Sequence, residues 1–439
     1  MFGAGESYLS AFAIFLKAST PQIGLLVSLP GLLASFVQLF SAWLGKQTGQ
    51  RKTIILLGAS LQAATWLPIA LLPMFFPELA VYLLILTVIV YQAGAHLAAP
   101  QWGSLMGDIV PERRRGRFFA LRTKVVSLVT LLSLAVGGAV LHRFDGGGYT
   151  YVGFLVIFGV AMAARWVSVY HLAKMHDPPG HTVAMEVPLG KSWLQRLRQS
   201  QFARFSMFFA LMQFSVAIAS PFFSVYVLRD LEYSYARFMI YSSTSVLVQF
   251  LTLNQWGRIA DIFGNRRVLS VTGVLMPLMP LLWLVSTDFW YLLFIQAVSG
   301  LAWAGFTLSA SNFLYDLTVR ESRTTYLAIH NVLAAVGIFC GALLGGYLGL
   351  ALPERLELFG LTWAWVSPLL GVFALSAIAR VLVLLLLLPR IREVRRVRPI
   401  SFTNVIFRVT RVNALAGLMF DVVGAKPKPA RDPVQEERE

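Results

Sequence analysis

The chain is 439 residues long, with 57% hydrophobic and 13% charged residues, a formal net charge of +16 and a mean hydropathy of +0.68. Water-soluble domains carry roughly 45–50% apolar residues, so these figures exclude an ordinary soluble fold and point to an all-α integral membrane protein. The surplus Lys and Arg lie between apolar runs rather than along one amphipathic face, which argues against nucleic-acid binding and makes them topology signals.

A bilayer core of about 30 Å takes roughly 17–25 apolar residues per helix. In chain order, a short apolar run at 3–18 is followed by longer ones at 22–44, 53–75, 79–106, 118–141, 149–172, 202–228, 236–256, 267–286, 289–314, 326–349 and 361–388. These are twelve transmembrane helices, with both ends on one side. The first run has no basic stretch before it and is interrupted by Glu6, unlike a signal peptide. It begins abruptly, as if the native start lay upstream of Met1.

Lys46, Arg51, Lys52, Arg113, Arg114, Arg115, Arg117, Arg122, Lys124, Arg258, Arg266, Arg267, Arg320 and Arg323 fall on one face of this topology; Lys17, Arg143, Arg229, Arg237 and Arg355 fall on the other. The positive-inside rule makes the first face cytoplasmic, together with both termini. The expected setting is multi-pass insertion in the cell (inner or plasma) membrane, as a monomer in contact with the lipid bilayer. The segment 173–201 reads as a cytoplasmic linker between residues 1–172 and 202–389, with an amphipathic helix over Lys191–Ser200. The tail 390–439 opens on Arg390–Arg398, suited to an anionic leaflet. It continues through a surface-lying stretch, Phe402–Val423, and ends in a polar, disordered terminus.

Between the spans 236–256 and 267–286 runs Gly257-Arg-Ile-Ala-Asp-Ile-Phe-Gly-Asn-Arg-Arg267. Gly257 and Gly264 are expected to let two helices approach and reverse, and Asp261 to bridge toward guanidinium groups or a helix dipole. The pattern Gly257, Ala260, Asp261, Gly264 and Arg266 resembles the signature loop of the major facilitator superfamily. In the first half the corresponding stretch, Leu44–Lys52, carries Lys46 where the second half has Asp261, so the charge pairing of the two loops is expected to differ.

The halves also repeat each other. Asp108, Arg115, Phe118 and Ala120 align with Asp316, Arg323, Tyr326 and Ala328, and Gly137-Gly138 with Gly345-Gly346; a second register pairs Gly49 with Gly264 and Arg165 with Arg380. The family resemblance implies two pseudo-symmetric six-helix bundles with a mid-membrane site between them. It further implies alternating access by rocking of the halves. Asp108 and Arg115 in one half, and Gly257, Asp261, Gly264, Arg266, Asp316 and Arg323 in the other, are the expected cytoplasmic gate. Arg165 and Arg380 are expected to snorkel to the cytoplasmic surface or to pair with Asp108 or Asp316.

An ionisable group at mid-membrane is costly and marks function. Glu6, eleven residues before Lys17 and so about 16 Å deep at 1.5 Å per residue, is the leading candidate for proton coupling, with His96 as a relay partner. Tyr91 and Gln92 lie about a turn from His96, and His330 sits about a turn into the eleventh span, beside Asn331. Gln38, Gln213, Gln249, Gln296, Trp303 and Asn312 complete a largely neutral set for a small organic ligand, though each alone is equally a helix–helix contact. Such a set favours a sugar-like or amphipathic solute over a phosphate or dicarboxylate, which would call for paired mid-membrane cations.

Cys340 is the only cysteine, which rules out an intrachain disulfide and a cysteine metal site. The spacing of His171, His176 and His181 around Asp177-Pro-Pro-Gly180 does not converge on a metal. No nucleotide loop or nucleophile elbow appears, so neither an enzyme nor a cofactor is expected. The leading function is proton-linked transport of a small neutral or amphipathic solute by a secondary permease. Proton-antiport drug export, lipid-headgroup flipping and a transporter-like sensor or scaffold are the alternatives. A glycine–proline pair, expected in the fifth span of antiporters of this kind, is missing.

Overall fold

A computed structural model describes residues 5–110, 112–177, 200–318, 323–352, 355–358, 361–364 and 367–394. The expected surface helix at Lys191–Ser200, the tail segments from 395 onward and His181 lie outside them, save for Ser200. A 3-10 turn at Glu6–Tyr8 leads into α1 (Leu9–Phe15). Then follow α2 (Thr20–Thr48), α3 (Arg51–Phe75), α4 (Ala80–Ile109), α5 (Glu112–Asp145) and α6 (Thr150–Ala173). The second half contains α7 (Gln201–Ala217), which breaks and resumes as helical turns at Phe222–Val225 and Tyr226–Asp230. After it come α8 (Tyr235–Phe263), α9 (Asn265–Leu282), α10 (Phe289–Asp316), α11 (Arg323–Ala351) and α12 (Leu369–Leu387).

Among the described residues, nine helical stretches are long and apolar enough to cross a membrane by length and composition. The last span departs from its expected start at 361. A two-stranded hairpin, β1 (Arg355–Leu358) with β2 (Leu361–Ala364), pairs Arg355 with Ala364 and Leu358 with Leu361, and the helix starts only at Leu369. The sequence gives the reason: Pro368 stands at the N-cap of α12, where its fixed φ suits a helix start but not a helix interior.

The hinge expected at 257–267 is also shorter than its sequence suggests. α8 runs through Gly257 to Phe263, and only Gly264, at φ 88° and ψ 153°, separates it from α9. That region of φ/ψ is essentially closed to residues with a Cβ, so Gly264 alone makes the reversal. Gly257 is an interior helix residue whose nearest neighbour on that side, Leu308, would stand 3.8 Å from an added Cβ.

The halves meet along two seams, α2 on α11 and α5 on α8. At the end of α2 remote from the basic loops, Gly24 faces the Ala342 carbonyl oxygen, 2.8 Å from where a Cβ would stand, and Gly346 faces Pro21 at 2.9 Å. Arg229 beyond α7 donates to Thr20 Oγ1 at 3.4 Å. On this same side one continuous apolar core joins Tyr8, Phe12, Phe154 and Phe158 of the first half to Phe222, Tyr226, Trp283 and Phe373 of the second. Toward the basic loops the described cores stay within one half: Ile55, Leu105 and Met106 in the first, and the Phe205–Phe313 and Trp256–Val268 groups in the second. The molecule is therefore sealed on the face opposite the basic loops.

Candidate functional site

The polar interior of the first half is built from four helices. The 3-10 turn before α1 places Glu6 against α4, where Tyr91 Oη donates to Glu6 Oε1 at 2.5 Å. Tyr91 is fully buried and stacks edge-on to Trp66, itself fully buried, with ring centroids 5.1 Å apart. From α6, Arg165 donates through Nη2 to Gln62 Oε1 of α3 and through Nη1 to Ser168 Oγ at 3.4 Å. It lies within electrostatic reach of Glu6 and Tyr91. A carboxylate and a guanidinium within electrostatic reach attract each other, but burial weighs more on each of them than that attraction does. This arrangement corrects the expectation that Arg165 snorkels or pairs with Asp108: it turns inward.

About five residues along α4, His96 Nδ1 stands 3.4 Å from Gln38 Oε1 of α2. Both line a cavity of about 360 Å³ between α2, α4 and α11, together with Ser28, Ser35 and Asn331. Glu6 and His96 thus sit in adjoining places, each with its own partner, rather than in direct contact. Gln92 is half-buried on the same stretch of α4.

The other candidates disperse. His330 is buried in the second half, its Nδ1 3.0 Å from Ser206 Oγ and its ring against Phe205 and Phe209 at 5.7 and 4.7 Å. Gln213 keeps its side-chain oxygen buried without a hydrogen-bond partner. Gln249 and Asn312 are half-buried on α8 and α10. Gln296 and Trp303 line a separate pocket of about 100 Å³ inside the second half. That pocket also holds Arg380, which is 3% exposed and donates to the carbonyls of Met276 at 2.9 Å and Val216 at 3.4 Å. Like Arg165, it neither snorkels nor reaches the terminal aspartate of its half.

At the basic face each half carries a charged knot. Arg51, the first residue of α3, donates to Asp108 at the end of α4 (2.5 Å), to Asp177 beyond α6 (2.6 Å) and to Ser104 (3.2 Å). In the second half, Asn265, the first residue of α9, donates to Asp316 at the end of α10 (3.0 Å), and the backbone N–H of Arg266 donates to Glu393 beyond α12 (2.8 Å). The two knots occupy equivalent places, with a cation in one and an amide in the other, in keeping with the divergence of the two loops at Lys46 and Asp261. Asp261 is exposed. The side chains of Arg115 and Arg323 lie outside what the structure describes. Sequence reasoning passed over Arg51, Asp177, Asn265 and Glu393 as pairing residues. The repeat that aligns Asp108 with Asp316 was the signal that pointed to them.

The sequence model of the Major Facilitator Superfamily matches residues 1–215 and 205–424, together nearly the whole chain. The chain belongs to the major facilitator superfamily. It is accordingly a multi-pass membrane protein and a secondary transporter of small-molecule solutes, not an enzyme, built as two pseudo-symmetric bundles. No curated protein matches the sequence. Solved structures with this superfamily's fold do. A mutant of the nucleoside transporter NupG is 17% identical, covers 89% of this chain and 97% of its own, and superposes with a TM-score of 0.68. A D-xylose–proton symporter is 13% identical, with coverage of 90% and 94% and a TM-score of 0.68. A POT family transporter in complex with a thioalcohol-conjugated peptide is 15% identical, with coverage of 88% and 92% and a TM-score of 0.65. At these identities the likeness is one of fold.

Proposed function

We propose that this transporter moves a small neutral or amphipathic organic solute by alternating access and couples it to a proton through Glu6. The observation that carries the reading is the Glu6 carboxylate inside the first bundle, held by Tyr91 Oη at 2.5 Å, with Arg165 within electrostatic reach. A group of that kind has two available charge states, and protonation would free Tyr91 and Arg165 to rearrange, which is what coupling requires. The solute occupies the adjoining cavity of about 360 Å³, whose polar groups Gln38, His96, Ser28, Ser35 and Asn331 are all uncharged or weakly basic. Neutral hydrogen-bonding groups amid apolar walls fit a sugar-like or amphipathic molecule. The D-xylose–proton symporter that shares the fold carries, by its name, that kind of cargo with that kind of coupling.

The halves are assigned to 1–172 and 202–389, joined by 173–201 and followed by the tail 390–439. With the basic face cytoplasmic, both termini lie inside the cell membrane's inner surface, and sealing at the opposite face makes the described conformation inward-facing. Asp108 and Arg51 in one half, and Asp261, Arg266 and Asp316 in the other, hold the inner helix ends.

The test is the internal pH of proteoliposomes on addition of each member of a solute panel, for the parent and Glu6→Gln. Solute-dependent proton flux that is lost in the variant supports the reading. Solute uptake without proton flux removes the coupling role of Glu6, and silence across the panel removes the substrate class.

A further inference from the structure

The pocket in the second half is the repeat counterpart of the Glu6 cluster in the first. Arg380 stands where Arg165 stands. In the register that aligns Asp108 with Asp316, Tyr91 falls on Ser299, and where Arg165 donates to the Gln62 side chain, Arg380 donates to the carbonyl of Met276. The α7 stretch facing Arg380 offers Val216 and Ser220 where the first half offers Glu6. Both halves hold a guanidinium, but where the first half sets a carboxylate and a phenol opposite it, the second half sets small groups. What remains is a void of about 100 Å³.

Arg380 is 3% exposed, its Nε is buried without a hydrogen-bond partner, and among the described residues it makes no ion pair. Two backbone carbonyls leave a full positive charge in an apolar interior uncompensated, which is unfavourable unless an anion joins it. The other polar groups of the pocket, Ser220, Ser299 and Gln296, can all donate, and Ser220 is exposed, which gives the pocket a mouth. Arg380 itself lines this pocket, and a guanidinium is the side chain best matched to a carboxylate. The volume equals about three water molecules at roughly 30 Å³ each, enough for a carboxylate on a short carbon chain.

We propose that Arg380, with Ser299 and Gln296, forms a binding site for a small monocarboxylate inside the second bundle, supplying from outside the anion that Glu6 supplies within the first. The proposal does not depend on proton coupling or on the neutral solute.

The experiment follows the thermal unfolding midpoint of the full chain in detergent against sodium propionate, with sodium chloride at equal ionic strength as the reference. The expected result is a saturable rise with propionate that chloride does not reproduce. Ser299→Ala and Gln296→Leu, which leave the guanidinium in place, should each weaken the apparent affinity about tenfold, as expected for loss of a hydrogen bond to a charged group. Ser299→Asp, which brings a carboxylate to the position of Tyr91, should raise the midpoint without propionate and abolish the response. Equal effects of propionate and chloride would overturn the site, as would an unchanged propionate response in both Ser299→Ala and Ser299→Asp. Labelled propionate accumulating in proteoliposomes would make the anion cargo, and binding without accumulation a resident counter-ion; both presuppose the site.

Discussion

Arg51→Met is the most informative perturbation of the basic face. Arg51 is 5% exposed and serves two carboxylates, Asp108 at 36% exposure and Asp177 at 24%. A hydrogen bond to a charged group contributes about 1.5–3 kcal/mol when shielded, and exposed ion pairs contribute about 0.2–1 kcal/mol. The cation is buried but each carboxylate reaches solvent, so each bond belongs toward the lower part of that combined range. Removing both, and leaving two like charges near one another, should cost about 2–3 kcal/mol of stability in the first bundle. Methionine replaces the aliphatic stem of arginine without its guanidinium, so packing of the stem is largely kept. The assay is a double-mutant cycle with Asp108→Asn, read as unfolding free energies in detergent. Asp108→Asn alone should cost about 1 kcal/mol, and the double variant should be more stable than the sum of the single losses by about 1 kcal/mol. Additive effects would show that the two side chains do not act together, and a stability change within about 0.5 kcal/mol for Arg51→Met would remove the knot as a structural element.

Other outcomes follow from the same geometry. Gly264→Ala forces a Cβ into φ 88° and ψ 153° and should lower stability by about 1–3 kcal/mol, checked by its unfolding midpoint; an unaltered midpoint would mean that the α8–α9 link relaxes freely. Gly24→Val pushes a side chain against the Ala342 carbonyl across the α2–α11 seam and should favour opening of the sealed face. With the exposed Cys340 replaced by serine, Thr20→Cys at this seam, 3% exposed in the parent, should then react faster with an impermeant maleimide, and equal rates would refute the seam. Asp261→Asn should slow turnover and leave substrate affinity within a few-fold; lost affinity at unchanged turnover would remove its gating role. Tyr91→Phe, which deletes the one described hydrogen bond to Glu6, should reduce solute-driven proton flux less than Glu6→Gln does, and full activity would separate Tyr91 from the coupling path.

The spans and the repeat were legible because apolar length and basic-loop placement are local properties of the chain. What escaped depended on contacts between distant residues. Arg165 and Arg380 can be located near the inner third of their helices by counting, but their direction is set by Gln62 and by the carbonyls of Met276 and Val216, more than a hundred residues away. Polar residues within apolar spans also look alike in sequence: His96 reached a cavity, whereas His330 is enclosed by phenylalanine rings. The loop 257–267 was overread because its glycines and charges suggest a break, yet Gly257 is tolerated within α8 and only the positive φ of Gly264 ends it. The hairpin before α12 was hidden by its apolar composition, Leu361, Trp363 and Ala364 continuing the hydrophobic run of the helix.

The distribution of these groups bears on how the halves move. The described ion pairs and charged hydrogen bonds of the basic face, Arg51 with Asp108 and Asp177, and Asn265 and Arg266 with Asp316 and Glu393, each stay within one half. They stiffen each bundle from within. Across the halves, the described contacts are chiefly apolar rings and close backbone approaches at Gly24 and Gly346, on the sealed face. Apolar contacts lack the directional specificity of ion pairs and can be exchanged for lipid or cavity contacts at modest cost. Two internally braced bodies that touch through a smooth, glycine-lined seam are suited to rock as units. Glu6 and Arg165 lie inside one of these bodies, so a change in their charge state acts first on that body's own packing.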